Sequence, residues 1–335
     1  MTTGVLRGLF GRRPTRPGVL MYHCVREAHC DPWGICVSPQ AFDEQMAVLA
    51  QTRRVADLGV FAGGVPIDGP TAGGPMAVTF DDGYADNVTA ALPILERHDV
   101  PATVFVIGTA VGRAREFWWD VLERAVLDAP QLPPELDFPF GNGPPRYVVD
   151  DRPGDRDANA GWRADDHAPR TPRQRLFRDL WDAIVVLEPP AQDDAVDCLL
   201  DWSGVPHQPA DPRRAVTPEE FAELAAHPLI TIGAHTLDHV SLTDLSPLRQ
   251  YEQIRDGRDA IAELTGGAVE RFSFPYGRNN VSSRCAVRDL GFRIGCTSAP
   301  DSVFPGDDPL ALPRPQALDM DGDAFDRWLR VALRC

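Results

Sequence analysis

Three short segments of this chain carry side chains able to do chemistry. The first is 77–84, Ala-Val-Thr-Phe-Asp-Asp-Gly-Tyr, where an apolar run stops at two adjacent carboxylates, Asp81 and Asp82. Neighbouring carboxylates at a strand end repel each other and resist desolvation. A fold keeps them there most readily when a cation binds, or when one of them must carry a proton. The same Asp-Asp-Gly is also an ordinary solvated turn when nothing else supports it. The second segment, 233–239, sets His235 and His239 four residues apart. On one side of a helical turn, two imidazoles at that spacing can converge on one ion. Neutral imidazole suits Zn²⁺ and its neighbours. One carboxylate completes a three-ligand set and leaves a position open for water, as a catalytic zinc requires. The third segment, 271–277, starts with Arg271, which could neutralise and orient a carboxylate that is not on the metal. Alone, Arg271 reads as a surface or ion-pair residue.

Each segment follows a short apolar, β-branched or aromatic run, so each sits at an expected strand end. Strands are expected at 18–23, 77–80, 101–108, 229–233, 271–274, 292–297 and 310–314. Helices alternate with them. Ser38-Pro39 and Ser246-Pro247 pair an N-cap with proline at the first helical position, and Thr217-Pro218-Glu219-Glu220 is a capping box. Apolar residues at helical spacing follow: Phe42, Met46 and Leu49; Val88, Leu92 and Leu95; Phe221 and Leu224; Phe325, Trp328 and Leu329. The alternation breaks between 113 and 214, where an aromatic helix, a Pro/Gly/Asp-rich stretch and two further helices read as an insertion. Part of it, near 150–167, is expected to be disordered. Strand–helix alternation with one site-bearing loop per strand predicts an α/β barrel or a doubly wound sheet.

The formal net charge of −16 over 335 residues makes nucleic acid and anionic membranes poor partners. All basic side chains are Arg; there is no Lys. No stretch reaches membrane-span length, and the apolar part of 1–16 is too short and broken for a signal peptide, so a cytoplasmic location is expected. The seven cysteines are an odd number and are read as reduced thiols. His23, Cys24, His29, Cys30 and Cys36 match no zinc spacing and are read as buried or loop groups.

With its three segments in order, the chain resembles the polysaccharide deacetylase family, also called the NodB-homology group or carbohydrate esterase family 4. The resemblance rests on Thr-Phe-Asp-Asp-Gly at 79–83, His-Thr-x-x-His at 235–239 and Arg-x-x-x-Pro-Tyr at 271–276. It covers 19–109 and 216–314. It implies a distorted (β/α) barrel, seven-stranded, with the site at the strand C-termini. The expected organisation is an N-terminal arm at 1–17, the barrel at 18–112 and 216–335, and an insertion or lid at 113–215.

The resemblance implies a role for each matching residue. Asp82, His235 and His239 would bind one divalent metal, zinc first, with cobalt or nickel as alternatives. Asp81 would be the general base, held ionised and oriented by Arg271. Tyr276 would help to form the oxyanion site, through its backbone N–H, with Pro275 lining the groove. The family's usual acid is a late Leu-x-His histidine, but no His follows His239 here. His23, at the end of the first strand, is the candidate, as in the permuted branch acting on poly-N-acetylglucosamine; otherwise it is a structural histidine. The family's Asp-x-x-Asp-Trp is also missing. Leu312-Pro313-Arg314 resembles that same branch, with no role for Arg314 beyond a possible ion pair. Trp118 and Trp119 either stack on sugar faces or anchor the insertion. The expected activity is removal of N-acetyl groups from an amino sugar or N-acetylated glycoconjugate. The alternatives are an O-acetyl esterase on the same site and a catalytically weak carbohydrate-binding member of the fold.

Overall fold

The computed structural model describes residues 16–63, 74–209 and 213–333, so most of the expected arm at 1–17 lies outside it. Short apolar runs bounded by turns form the strands of the main sheet: β1 (Gly18–Tyr22), β4 (Arg54–Val55), β5 (Pro75–Phe80), β6 (Ala102–Val106), β9 (Ile230–Ala234), β10 (Arg271–Ser273) and β11 (Ile294–Cys296). Two residue pairs beside the site, β2 (Cys24–Val25) and β3 (Cys36–Val37), make a separate parallel ribbon. Six strands run parallel in the order β1-β5-β6-β9-β10-β11, while β4 pairs with the start of β5 off this line.

The line of the sheet thus holds six strands rather than the expected seven, and the expected strand at 310–314 explains the difference. Leu312 bridges Cys296 of β11 and Gln316 bridges Met21 of β1, both in parallel sense. Leu312 N–H donates to Gly295 and its carbonyl accepts from Thr297 (2.8 Å each). Met21 N–H donates to Pro315 (3.1 Å), and Ala317 N–H to Met21 (2.9 Å). The segment closes the curled sheet, but Pro313 and Pro315 have no N–H, so isolated bridges replace a ladder.

Side chains alternate along each strand. Leu20, Val78, Val104 and Phe272 face the surrounding helices, while Val19, Ala77, Phe105, Cys296 and Leu312 fill the inside of the curl. The helices are α1 (Pro39–Thr52), α2 (Leu92–His98), α6 (Pro218–Ala226), α7 (Pro247–Thr265), α8 (Val281–Asp289) and α9 (Gly322–Ala332). They begin where the capping signals stand: the side chains of Ser38, Thr217 and Ser246 accept from the third backbone N–H beyond each. Phe42, Met46 and Leu49 of α1 are wholly buried, and each contributes roughly 1.5–3 kcal/mol by leaving water.

Between β6 and β9 the chain forms α3 (Trp118–Leu122), a hairpin of β7 (Glu135–Asp137) and β8 (Arg146–Val148), α4 (Pro172–Ile184) and α5 (Pro189–Ser203). Its core of Phe117, Leu122, Phe138, Phe177 and Leu199 runs on into Cys24, Cys30 and Cys36 beside β1. The stretch 150–167 is irregular but fixed, contrary to the expected disorder. Buried Arg173 holds Asp151 with two hydrogen bonds (2.6 and 2.7 Å), Asn159 is wholly buried and donates to the Leu127 carbonyl, and Trp162 is buried. A polar, Pro-rich composition hides such anchors, which sit on single residues. The described cysteines are all free thiols. Among the described residues no helix is long and apolar enough to cross a membrane.

Candidate active site

The site lies at the C-terminal ends of the parallel strands, where each strand hands over to a loop. β5 continues into Asp81 and Asp82, β9 into His235, β10 into Phe274–Tyr276, and β1 into His23. His23, Asp81, Asp82, His235, His239, Phe274 and Tyr276, with Met21, Trp33, Ile35, Trp119, Trp181, Arg314 and Gln316, line one cavity of about 380 Å³.

Asp82, His235 and His239 are buried, and one ligand atom from each lies within 4.8 Å of the others. Asp82 Oδ1 stands 3.5 Å from His235 Nε2 and 3.4 Å from His239 Nε2. Bonds of ~2.0–2.1 Å would set tetrahedral ligands ~3.3–3.4 Å apart, so the three atoms are spaced for one small divalent ion. Asp82 Oδ1 is buried without any hydrogen-bond partner, as an atom aimed at a cation would be. His235 Nδ1 donates to the Ser273 carbonyl (2.8 Å), which leaves the Nε2 lone pair facing Asp82. Burial pushes the His239 imidazole down to about 3, which keeps it neutral. At His235 burial acts the same way, but Asp81 and Asp82 together with the Ser273 hydrogen bond outweigh it, and the net effect is upward. The donor set therefore fits zinc or a neighbouring ion. Among the described residues no other group of three or more His, Cys, Asp or Glu converges in this way, the His/Cys residues at 23–36 included.

The two imidazoles converge differently from the expected helical turn. Residues 236–238 form a tight turn, with φ of 61° at Thr236 and 56° at His239. Thr236 Oγ1 accepts from His239 N–H (3.0 Å) and closes the turn. Positive φ in a β-branched residue is strained, by about 1–3 kcal/mol. Of the five described non-glycine residues with positive φ, four are Asp82, Thr236, His239 and Tyr276; the fifth, Asp99, caps α2. Among the described residues such backbone is concentrated at the site. Helix α7 supports the turn: Gln253 accepts from Leu237 and Asp238 N–H and donates to the Asp238 carboxylate. A β-carbon on Gly257 would stand 2.3 Å from the Thr236 carbonyl carbon, so the helix approaches this closely only with glycine there.

Asp81 does a different job from its neighbour. Arg314 grips it with both arms, Nη1 to Oδ1 at 2.8 Å and Nη2 to Oδ2 at 2.7 Å, and Ser273 Oγ adds a third donor at 3.0 Å. Burial pushes this carboxyl up, but the Arg314 guanidinium and the His235 charge outweigh it and hold the group well below the usual carboxylate range. Arg271, expected in this role, is elsewhere. It is the first residue of β10 and pairs with Asp57 (2.6 Å) and Thr103 (3.3 Å) at the far end of the strands. Ser273, two residues later on the same face, is the β10 residue that reaches Asp81. The sequence marked Arg314 only through Leu312-Pro313-Arg314 and a possible ion pair, without its partner, and did not mark Gly257; the available signals were an Arg between two prolines and a Gly inside a long helix.

His23 lines the same cavity as Asp81, Asp82 and His239, and its Nδ1 is buried and unpartnered among the described residues. Tyr276 lines the cavity with φ of 57°. Its N–H, in the first turn of a short 3₁₀ segment, takes no backbone acceptor among the described residues. Pro275 is buried behind the wall, which is made here by Phe274, Tyr276, Gly277 and Arg278. Trp119 borders the cavity with its ring 4.6 Å from that of His239, whereas Trp118 packs into the insertion against Trp181.

Residues 68–129 and 201–295 match the family model described as polysaccharide deacetylase. A curated relative, the putative polysaccharide deacetylase YxkH of Bacillus subtilis strain 168, is 29% identical over 115 residues, 34% of this chain and 41% of that protein. The match thus spans less than half of the relative's length. The fold is similar to that of the deacetylase PplD of Streptococcus pyogenes, solved with acetate, at 15% identity and a TM-score of 0.55, covering 94% of this chain and 98% of the other. It is also similar to that of IcaB of Ammonifex degensii, at 19% identity and a TM-score of 0.55, covering 96% of this chain and 98% of the other.

Proposed function

We propose that this chain, which belongs to the polysaccharide deacetylase family, is a metal-dependent hydrolase that removes N-acetyl groups from an amino sugar or N-acetylated glycoconjugate. The observation that carries the reading is the division of labour between the two carboxylates. Asp82 faces two imidazoles with an unpartnered oxygen, and Asp81 is kept ionised by Arg314 without facing both.

Asp82, His235 and His239 would hold the ion, and zinc suits two imidazoles and a carboxylate best. A bound divalent ion supplies a Lewis acid for the acetyl carbonyl and acidifies water at neutral pH. Asp81 takes the proton of the attacking water; Arg314 and Ser273 keep its oxygens aimed. The Tyr276 N–H donates to the oxygen on which negative charge develops. His23 delivers a proton to the leaving nitrogen, which an amide needs more than an ester does. The aromatic wall of Trp33, Trp119, Trp181 and Tyr276 suits the apolar face of a sugar ring. The segment 113–215 would act as the insertion that completes this wall.

Metal content and acetate release from a panel of N-acetylated and O-acetylated sugars test the reading together. Chelation should abolish turnover and zinc should restore it. Asp81→Asn should retain the metal and lose ~10²-fold or more in rate, the usual worth of a positioned base. Turnover that survives chelation, or an active Asp81→Asn protein, refutes it.

A further inference from the structure

His239 stands out among the three proposed ligands. Histidines that bind metals almost always donate their second ring nitrogen to a carboxylate, carbonyl or water, which fixes the ring. His235 does so, to Ser273. His239 does not: its Nδ1 is buried and no described protein group accepts from it. Its ring is held by other rings instead, Trp119 at 4.6 Å and Tyr276 at 4.7 Å.

The Trp119 ring is itself pinned by a chain of hydrogen bonds. Its Nε1 donates to the Tyr84 hydroxyl (2.7 Å), which donates to Asp120 Oδ2 (2.7 Å). Asp120 Oδ1 accepts from Arg26 Nη2 (2.8 Å), and Arg213 lies 3.8 Å away. Tyr84 is wholly buried, Asp120 is 1% exposed and Trp119 7%. Phe117 stacks parallel on the Trp119 indole at 4.8 Å and meets Tyr84 edge-on at 4.9 Å, so the indole has few ways to turn. A buried carboxylate with two guanidiniums beside it is a rigid anchor, and the side-chain polar atoms of Trp119, Tyr84 and Asp120 each have a partner.

We propose that Asp120, Tyr84 and Trp119 are positioning residues for His239, substituting for the missing hydrogen bond at Nδ1, and that this chain sets the affinity of the metal site from α3 of the insertion. The proposal rests on the metal reading above and adds a device to it. Tyr84 directly follows the Asp-Asp-Gly turn and Trp119–Asp120 belong to α3, so the chain ties the metal centre to residues far away in sequence.

The test is the dissociation constant of Co²⁺ alone, with the d–d absorption of the bound ion as a second readout, in the full-length protein. His239→Ala is the control: if Co²⁺ binds it as tightly as the wild type, the metal reading itself falls. Given a weakened His239→Ala, Tyr84→Phe and Trp119→Phe should each weaken Co²⁺ binding ~10-fold or more, the usual effect of losing an outer-shell partner. The d–d bands should shift, and the double variant should be little worse than either single one. Both substitutions keep an aromatic ring, and thermal melts verify folding. Lowered melting temperatures with unchanged Co²⁺ affinity and spectrum would make the chain merely structural and overturn the proposal.

Discussion

Arg314 is wholly buried, and most of its hydrogen bonds end on the site: two on Asp81, one on Ser273 Oγ and one on Thr79 Oγ1. Arg314→Met keeps the apolar stem and removes the charge. It leaves Asp81 buried with only Ser273 as a donor. Breaking a buried pair from one side costs about 3–5 kcal/mol, because the remaining charge is uncompensated. At 1.36 kcal/mol per pKa unit, that corresponds to an upward displacement of the Asp81 carboxyl by about 2–4 units. The sign follows. In the wild type the Asp81 pKa is depressed on folding, so its stabilisation is present at neutral pH and is lost as pH falls through the folded value. In the variant that depression is lost, so the penalty relative to the wild type is full at neutral pH and shrinks as acid protonates the group. Urea unfolding of both proteins at pH 3 and pH 7 measures this, and the acid limb of acetate release should move up in parallel. Arg271→Ala is the comparison. Its partner Asp57 is 41% exposed, so the loss should be within about 1 kcal/mol with an unmoved acid limb. A pH-independent loss in Arg314→Met, or an acid limb that moves in Arg271→Ala instead, refutes the assignment.

Three further outcomes are expected. Gly257→Ala should raise local helix propensity yet destabilise the protein and weaken zinc binding, because the new β-carbon collides with the Thr236 backbone; isothermal titration and thermal melts check both. His23→Ala should lower amide turnover ~10²-fold or more while sparing O-acetyl esters, whose alkoxide leaves with less help. Asp86 is pushed up to about 6 by burial, which outweighs Arg26 beside it at 3.5 Å. A raised carboxyl stabilises below its unfolded pKa and loses that contribution as pH rises through 6. The Asp86→Asn protein should therefore show a melting temperature less dependent on pH between 4 and 7, the wild-type loss approaching ~3 kcal/mol over two units.

The alternation of apolar runs with capped helices made the parallel α/β barrel legible, because strands and helix starts are local matters of period and capping. Asp82, His235 and His239 were legible for the same reason: their spacing and strand-end placement are properties of short segments. Ring closure was less so, since Pro313 and Pro315 disguise the last stave, yet it is this stave that carries Arg314 to Asp81. Arg271 misled because a motif gives order along the chain and not depth along a strand. Ser273 is two positions further on, and that distance of ~7 Å is the difference between the far end of the strand and the site. The chain of Asp120, Tyr84 and Trp119 and the clearance at Gly257 depend on elements brought together from distant parts of the sequence. Local pattern marked which side chains could do chemistry; close packing in three dimensions decided which of them touch.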